Sequence, residues 1–565
     1  MKICYLDISA SYSHRSLALP MLHLACDETV DAEWTMVHST INDDVHAISA
    51  RVIETQPDVV LGTLFLFTHV QMLRTLRRVR ALLPEAQIFL GGPEFLGENE
   101  AFLRRETFVD AVCRGEGELA LPELLQNRAD KSAWGDLPGL CWLGEDGTYL
   151  DNGTGALNED QWNELPPPSD SNFFDWSKPF IQIETNRGCA QFCTFCTSFR
   201  TGPTRWSPLD RLRRVLTQAR EEGVKEIRIL DRTFNATPRP AIERLRLFAD
   251  EFSDLRFHLE IHPAFLPQHF RDTLKEMPDG LLHLEVGLQT THPEALVAAG
   301  RAGKPELNWE GLAFLCGLKN VDVHADLIGA LPRLNLDHQV RDLAALSKLG
   351  PTEIQLEVLK MLPGTPIARQ AKEYGVKHAP DPPYEVLETP EMPSADVQTT
   401  VNLSRVVDRF FNQPVLQAAV VAAVEKDEYF YLNFLNFLKS KIDPAPPMSL
   451  KRRAQYLHQY LVETHAEIVD LVAYHWLLSG QSADSAVGNV ARWKEGVPGH
   501  AVQVHGNGEV TYDGQIWVLN MRDGKAFFVF DRKHGNLPVA VFEERSQTAN
   551  GKRQMLDRAF VVALG

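Results

Sequence analysis

Six short runs that alternate apolar and polar residues recur along the middle of the chain, and that recurrence restricts the fold more than any other feature. They are Phe180–Thr185, Glu226–Leu230, Phe257–Ile261, His283–Gly287, Val323–Ile328 and Glu353–Val358. Alternation of this kind is the period of a strand. Helical stretches such as Pro240–Phe252 and Asp337–Leu349 lie between the runs. After the first run, Ser207-Pro208-Leu209-Asp210 reads as a helix start, Leu209, Leu212, Val215 and Leu216 form its apolar stripe, and Gly223 ends it. A repeat of about 25 to 40 residues is too long for hairpins and suits parallel strands joined by right-handed helical crossovers. Such folds carry their chemistry at strand C-termini. The polar residues expected there are Asp231, Arg232 and Asn235, Glu260 and His262, Glu285 and Gln289, and Asp326.

Residues 1 to about 130 follow the same logic as a second α/β unit, with strands expected over 2–7, 58–63, 87–91 and 110–113 and helices between them, Met72–Leu83 being one. The 565 residues suit roughly three to four domains. A composition of 44% hydrophobic and 23% charged residues is that of a globular protein. Against 57 Lys and Arg stand 75 Asp and Glu, a net charge of −18, which disfavours a nucleic-acid partner because phosphate affinity needs clustered bases. The start Met1-Lys2-Ile3-Cys4-Tyr5-Leu6-Asp7 lacks the pattern of a signal peptide. No apolar run reaches the ~18 residues of a membrane span. We therefore expect a cytoplasmic protein with no membrane partner, in which thiols stay reduced and clustered cysteines are ligands or catalysts.

Five of the eight cysteines, at 4, 26, 113, 141 and 316, are isolated and read as small core residues. The other three fall in Gly188-Cys189-Ala190-Gln191-Phe192-Cys193-Thr194-Phe195-Cys196. A structural zinc site or an electron-transfer cluster wants four ligands, and no fourth Cys or His lies nearby. Three thiolates on a cubane leave one iron open to a chelating substrate. The C-x-x-x-C-x-aromatic-C pattern, with Phe195 in the aromatic place, resembles the signature of the radical S-adenosylmethionine (SAM) superfamily. That resemblance implies a partial (β/α)6 TIM-type barrel and a [4Fe-4S] cluster on Cys189, Cys193 and Cys196, with SAM chelated at the open iron. It also implies SAM contacts by Phe195, by Asp231 and Asn235 at the amino group, by Glu285 and Gln289 at the ribose, and by Gly329 at the adenine. The usual Gly-Gly-Glu of the second strand is absent.

Two turn-rich breaks follow late strands of the first unit, Leu90-Gly91-Gly92-Pro93-Glu94 and Arg114-Gly115-Glu116-Gly117-Glu118. Glycine there lets a backbone approach a ligand, and open α/β sheets bind ligands beyond their strand C-termini. No G-x-G-x-x-G follows the first strand, which argues against a dinucleotide site. Set ahead of a radical SAM barrel, this unit looks like the Rossmann-like, flavodoxin-like domain of the cobalamin-binding subgroup. The resemblance implies cobalamin held by Thr63, Gly91, Gly92, Pro93, Glu94, Gly115, Glu116 and Gly117. Asp7-Ile8-Ser9-Ala10-Ser11-Tyr12-Ser13-His14-Arg15 does not match the D-x-H-x-x-G spacing, so no protein His is expected below cobalt.

The implied activity is reductive SAM cleavage followed by methylation of an unactivated carbon on a small-molecule or peptide substrate, with a flavodoxin or ferredoxin as reductant. A rearrangement, cyclisation or ring contraction without methyl transfer, and an iron-sulfur or corrinoid carrier, are the competing readings. A tRNA methylthiotransferase would want a further cysteine trio and a basic tail. The expected organisation is a cobalamin domain over 1–135, a linker over 136–175 containing Leu165-Pro166-Pro167-Pro168-Ser169, a barrel over 176–390, and a C-terminal domain over 391–565. That last domain reads as helices rich in aromatics, from Phe410-Phe411 to Phe434, then a small β-rich piece with turns at Gly506-Asn507-Gly508 and Asp513-Gly514. Leu230–Asn235, Lys360–Pro366 and Pro382–Leu387 resemble one branch of cobalamin-binding radical SAM proteins with an extra C-terminal domain of unassigned role.

Overall fold

The computed structural model describes residues 1–200, 203–301, 303–494, 514–522, 524–531, 537–549 and 552–560. Two compact units divide the chain, the first formed by Met1–Asn335 with Val358–Val397 and the second by Leu336–Glu357 with Gln398–Gly565.

The first unit opens with a seven-stranded sheet of β1 (Lys2–Ser9), β2 (Glu33–Thr40), β3 (Val59–Thr63), β4 (Gln87–Gly91), β5 (Ala111–Cys113), β6 (Leu140–Leu143) and β7 (Tyr149–Asp151), in the order β2-β1-β3-β4-β5-β6-β7. Strands β1 to β5 run parallel, and β6 and β7 are added antiparallel. Apolar side chains leave both faces of β1: Cys4, Leu6 and Ile8 enter one core, Ile3 and Tyr5 the other. Burial on both faces is what helices packed on either side of a parallel sheet impose. The stretch expected as a linker thus contributes β6 and β7 to this sheet, and a span expected to be helical forms β2.

A second sheet has six strands, β8 (Phe180–Ile183), β11 (Glu226–Ile229), β12 (Arg256–Ile261), β13 (Leu282–Gln289), β14 (Val321–Gly329) and β15 (Glu353–Val358), ordered β15-β14-β13-β12-β11-β8. Between β8 and β11 a two-stranded antiparallel ribbon, β9 (Asn186–Arg187) with β10 (Arg205–Trp206), brackets the cysteine segment. Registers from β8 to β14 are parallel. Alternate residues of these strands are fully buried. Phe257 of β12, for example, stacks on Phe248 of the helix Pro238–Glu251 at 3.9 Å. Their neighbours His258 and Glu260, His283 and Glu285, and His324 and Asp326 turn to the opposite, concave face.

In the second unit the helix Leu336–Leu349 belongs with helices Pro414–Lys426 and Phe430–Lys441, and Ser347 Oγ lies 2.6 Å from Tyr431 OH. The aromatic run is core: Phe410, Phe411, Phe430, Tyr431 and Phe434 are at most 1% exposed. A five-stranded antiparallel sheet closes the unit, with Phe528 and Val541 packed against Ala473 and Leu477 of the helix Asp470–Leu478. The expected turns at 506–508 and at Asp513 lie outside the described residues. Among the described residues no helix is long and apolar enough to cross a membrane.

Candidate active site

The cysteine segment leaves the C-terminal end of β8 and returns through β10. Cys189 and Cys193 are 9% and 5% exposed, and Cys196 is half-buried. Each sulfur meets a donor: Gln191 N at 3.4 Å from Cys189 Sγ, Arg301 Nη1 at 3.7 Å from Cys193 Sγ, and Ser198 N at 3.4 Å from Cys196 Sγ. Burial pushes the Cys193 thiol up, and the Arg301 guanidinium pulls it back. Among the described residues no three His, Cys, Asp or Glu side chains converge on one point as ligands to a single ion would. An all-sulfur donor set of three thiols on one loop suits iron-sulfur chemistry.

Long-range contacts hold this segment. Arg187 and Arg205 face each other across the β9–β10 ribbon. Arg187 Nη1 reaches Glu118 Oε1 at 2.8 Å and its Nε reaches Glu184 Oε2 at 2.8 Å, while Arg205 binds both oxygens of Glu116, at 2.9 and 2.5 Å. The Gly-Glu-Gly-Glu turn of the first sheet therefore grips both ends of the cysteine loop. From the other side, Thr194 N and Oγ1 donate to Ala299 O and Ala298 O, each at 2.8 Å. Apart from Glu184, three residues before Arg187, these partners lie far apart in sequence, and no local pattern announces them.

Asp231 is fully buried and accepts four hydrogen bonds, from Thr185 N at 2.7 Å, Asn186 N at 2.9 Å, Asn186 Nδ2 at 2.7 Å and Thr185 Oγ1. Asn235, also fully buried, donates to His262 O and Phe265 O and accepts from His262 N. Both oxygens of Asp231 and the amide of Asn235 thus help tie β8, β11 and β12 together. Phe195 is half-buried on the cysteine loop. Glu285 accepts from His258 Nε2 at 2.8 Å, and Gly329 O accepts from Leu359 N at 2.9 Å. Gln289 differs: it sits at φ +73° at the end of β13, 8% exposed, with Oε1 buried and without a partner. His262 likewise keeps a buried Nε2 without a partner, while its Nδ1 accepts from Ala264 N.

A cavity of about 620 Å³ opens beyond the C-terminal ends of β1, β3, β4 and β5. Thr63, Gly91, Gly92, Pro93, Gly115, Glu116 and Gly117 line it, together with Arg187, Gly188, Thr197, Ser198 and Arg232 from the barrel side. At Gly91 the floor is backbone, and an added Cβ would have Cys113 O as its nearest neighbour at 3.9 Å. Gly92 serves the turn instead. At φ +111° its absent side chain makes room for Leu64 O, which a Cβ would meet at 2.7 Å. A bare, glycine-floored cleft at strand ends fits a broad planar group such as a corrin. Glu94 is turned away, its Oε2 2.8 Å from both His69 Nδ1 and Tyr384 OH, so it braces the loop instead of lining the cleft. His14 does line it, with Nδ1 2.7 Å from Ser11 Oγ.

Residues 6–125 match the B12 binding domain family, residues 183–346 the radical SAM superfamily, and residues 372–491 a family described as a protein of unknown function (DUF4080). Similar proteins include the 2-(S-pantetheinyl)-carbapenam-3-carboxylate methyltransferase of Streptantibioticus cattleyicolor, 26% identical over 63% of this chain and 54% of that protein. The cobalamin-dependent radical SAM methyltransferase TokK of Streptomyces tokunonensis is 24% identical over 61% of this chain and 53% of that protein. The chain thus spans about half the length of these relatives. Among solved structures, the cobalamin-dependent SAM radical enzyme OxsB shares the fold with a TM-score of 0.59 at 15% identity, over 84% of this chain and 78% of that one. The methyltransferase TsrM of Kitasatospora setae does so with a TM-score of 0.54 at 17% identity, over 67% and 78%. Cobalamin, a [4Fe-4S] cluster and SAM are the cofactors that these domains bring. The chain thus carries a B12 binding domain, a radical SAM core and a C-terminal DUF4080 domain, the domain set of the cobalamin-dependent radical SAM family.

Proposed function

We propose that the protein methylates an unactivated carbon of a small or peptide-like substrate, with Cys189, Cys193 and Cys196 holding the cluster and the glycine-floored cleft holding cobalamin. The observation that carries this reading is the shared cavity: Gly91, Gly92, Gly115 and Gly117 face the same space as Gly188, Thr197 and Ser198 beside the cysteines. Two cofactors set on opposite walls of one cavity can act in turn on one substrate. When bound, they supply a 5′-deoxyadenosyl radical that removes a hydrogen atom and a methyl donor for the resulting carbon radical. The chain's own residues position and shield. Glu116 and Glu118 fix the loop ends through Arg205 and Arg187, Asp231 locks β8 to β11, and Gln289 and His262 offer an acceptor and a donor to SAM or substrate. The methyltransferase names of the curated relatives favour methyl transfer over rearrangement.

Anaerobic reconstitution should give about four irons per chain together with bound corrinoid. Incubation with SAM and a reductant should release 5′-deoxyadenosine, and a substrate should gain the mass of one methyl group. A Cys193→Ala protein that keeps its full iron content would refute the cluster assignment, and a product of unchanged carbon count would replace methyl transfer with rearrangement.

A further inference from the structure

We propose that Arg301 is a positioning residue that sets the reduction potential of the cluster by donating a charge-assisted N–H···S hydrogen bond to Cys193. The inference rests on the reading that the three cysteines hold a [4Fe-4S] cluster. Arg301 lies outside the cysteine segment and outside every expected contact, yet its Nη1 is 3.7 Å from Cys193 Sγ.

Its placement is fixed from several directions. The helix Pro293–Ala298 ends against the cysteine loop, where Thr194 donates to Ala298 O and Ala299 O. Gly300, at φ +60°, brings the chain so close that a Cβ there would stand 2.6 Å from Phe192 O. Arg301 N then bonds Leu296 O at 3.1 Å, and Nη2 donates to Gly287 O at the end of β13. With one terminal nitrogen on Gly287 and the other on Cys193, the planar guanidinium cannot swing away without losing both. Its Nε is buried and has no partner.

The chemistry follows from charge. A guanidinium keeps its proton at any working pH. Cys193 is 5% exposed, so little water screens the pair. Uptake of one electron from an external one-electron donor adds negative charge to a cluster held by this thiolate, and a fixed cation beside the sulfur favours the reduced state. Hydrogen bonds to cluster sulfurs are among the levers that set these potentials. Arg301 therefore raises the potential and eases the reduction that SAM cleavage requires.

The test compares the full-length wild type with Arg301→Met and Arg301→Lys after anaerobic reconstitution, using iron counts and a dithionite titration with mediators followed by electron paramagnetic resonance. The expected result is equal iron in all three. Arg301→Met should lose at least tenfold in the one-electron reduction equilibrium, a fall of about 59 mV or more, and Arg301→Lys should recover part of it. An Arg301→Met midpoint equal to the wild type's overturns the proposal. Should Arg301→Met fail to retain iron, Arg301→Gln takes its place, and a midpoint equal to that of Arg301→Lys overturns it there. Failure of the underlying reading shows separately, as a wild type without iron before any potential is measured.

Discussion

Arg187 Nη1 stands 2.8 Å from Glu118 Oε1, so the residue two places before the first of the three clustered cysteines is held by the turn after β5. Both side chains are at most 10% exposed, and Glu184 and Glu116 lie on the same guanidinium at 2.8 and 3.9 Å. Burial alone would lower the Arg187 pKa, but the carboxylates of Glu118, Glu184 and Glu116 outweigh it and raise it. Removing the arginine leaves Glu118 buried without its counter-charge, while Glu116 keeps Arg205. Arg187→Met should therefore destabilise the protein by about 3–5 kcal/mol. Glu118→Gln, which leaves Arg187 two other carboxylates, should cost about 1–2 kcal/mol. Urea unfolding gives both values, and iron retention should fall in the same order.

Gly300 tests the second support of the loop. Any side chain there meets Phe192 O at 2.6 Å and must also accept φ +60°. A backbone oxygen cannot retreat as a side-chain tip can, so Gly300→Ala should push the cysteine loop outward. We expect a stability loss of about 1–3 kcal/mol and faster release of iron to a chelator than in the wild type. Unchanged release would mean that the loop tolerates displacement at Phe192.

Glu260 should make stability fall as pH rises. Burial raises its carboxyl to about 7 against an ordinary value of 4.5; Arg232 opposes that shift, and Glu285 adds to it. Between those two values the native state holds a proton that the unfolded chain has released, so stability declines with increasing pH. The contribution is complete below about 4.5 and is lost as pH passes through about 7. Its size is at most about 3 kcal/mol. Glu260→Gln should flatten this part of the profile, read from urea midpoints at pH 5 and pH 8.

Legibility followed how local each signal was. The six barrel strands were readable because alternation and crossover spacing are local, and observed strands such as Glu226–Ile229 and Glu353–Val358 lie within a residue of the expected runs. Strand β2 was not, because Glu33-Trp34-Thr35-Met36-Val37-His38-Ser39-Thr40 mixes polar and apolar residues without a clean period. Strands β6 and β7 sit in a polar, turn-rich stretch and gain their pairing only from β5. At the site, the cysteines announce themselves by spacing. Arg301, Glu118 and the brace at 298–300 matter through partners roughly 70 to 110 residues away, such as Cys193 and Arg187, which no local pattern encodes. Asp231 and Asn235 show the same limit: a polar residue at a strand end gives no sign in sequence of the hydrogen bonds it makes across the sheet.

Adjacent glycines at the end of β4 separate fold from cofactor. At Gly92 an alanine would require φ +111° and a Cβ 2.7 Å from Leu64 O and 2.8 Å from Thr63 Cγ2. Gly92→Ala should therefore cost about 2 kcal/mol or more and lose corrinoid along with structure. At Gly91 the nearest atom to a new Cβ is Cys113 O at 3.9 Å, an ordinary contact, and strand backbone accepts alanine readily. Gly91→Ala should melt within about 1 kcal/mol of the wild type, while its methyl group projects into the cleft at the point where the corrin face would rest. Titration with hydroxocobalamin, followed by absorbance, should then show at least tenfold weaker binding than the wild type. If Gly91→Ala binds corrinoid as the wild type does, the corrin does not lie over the end of β4.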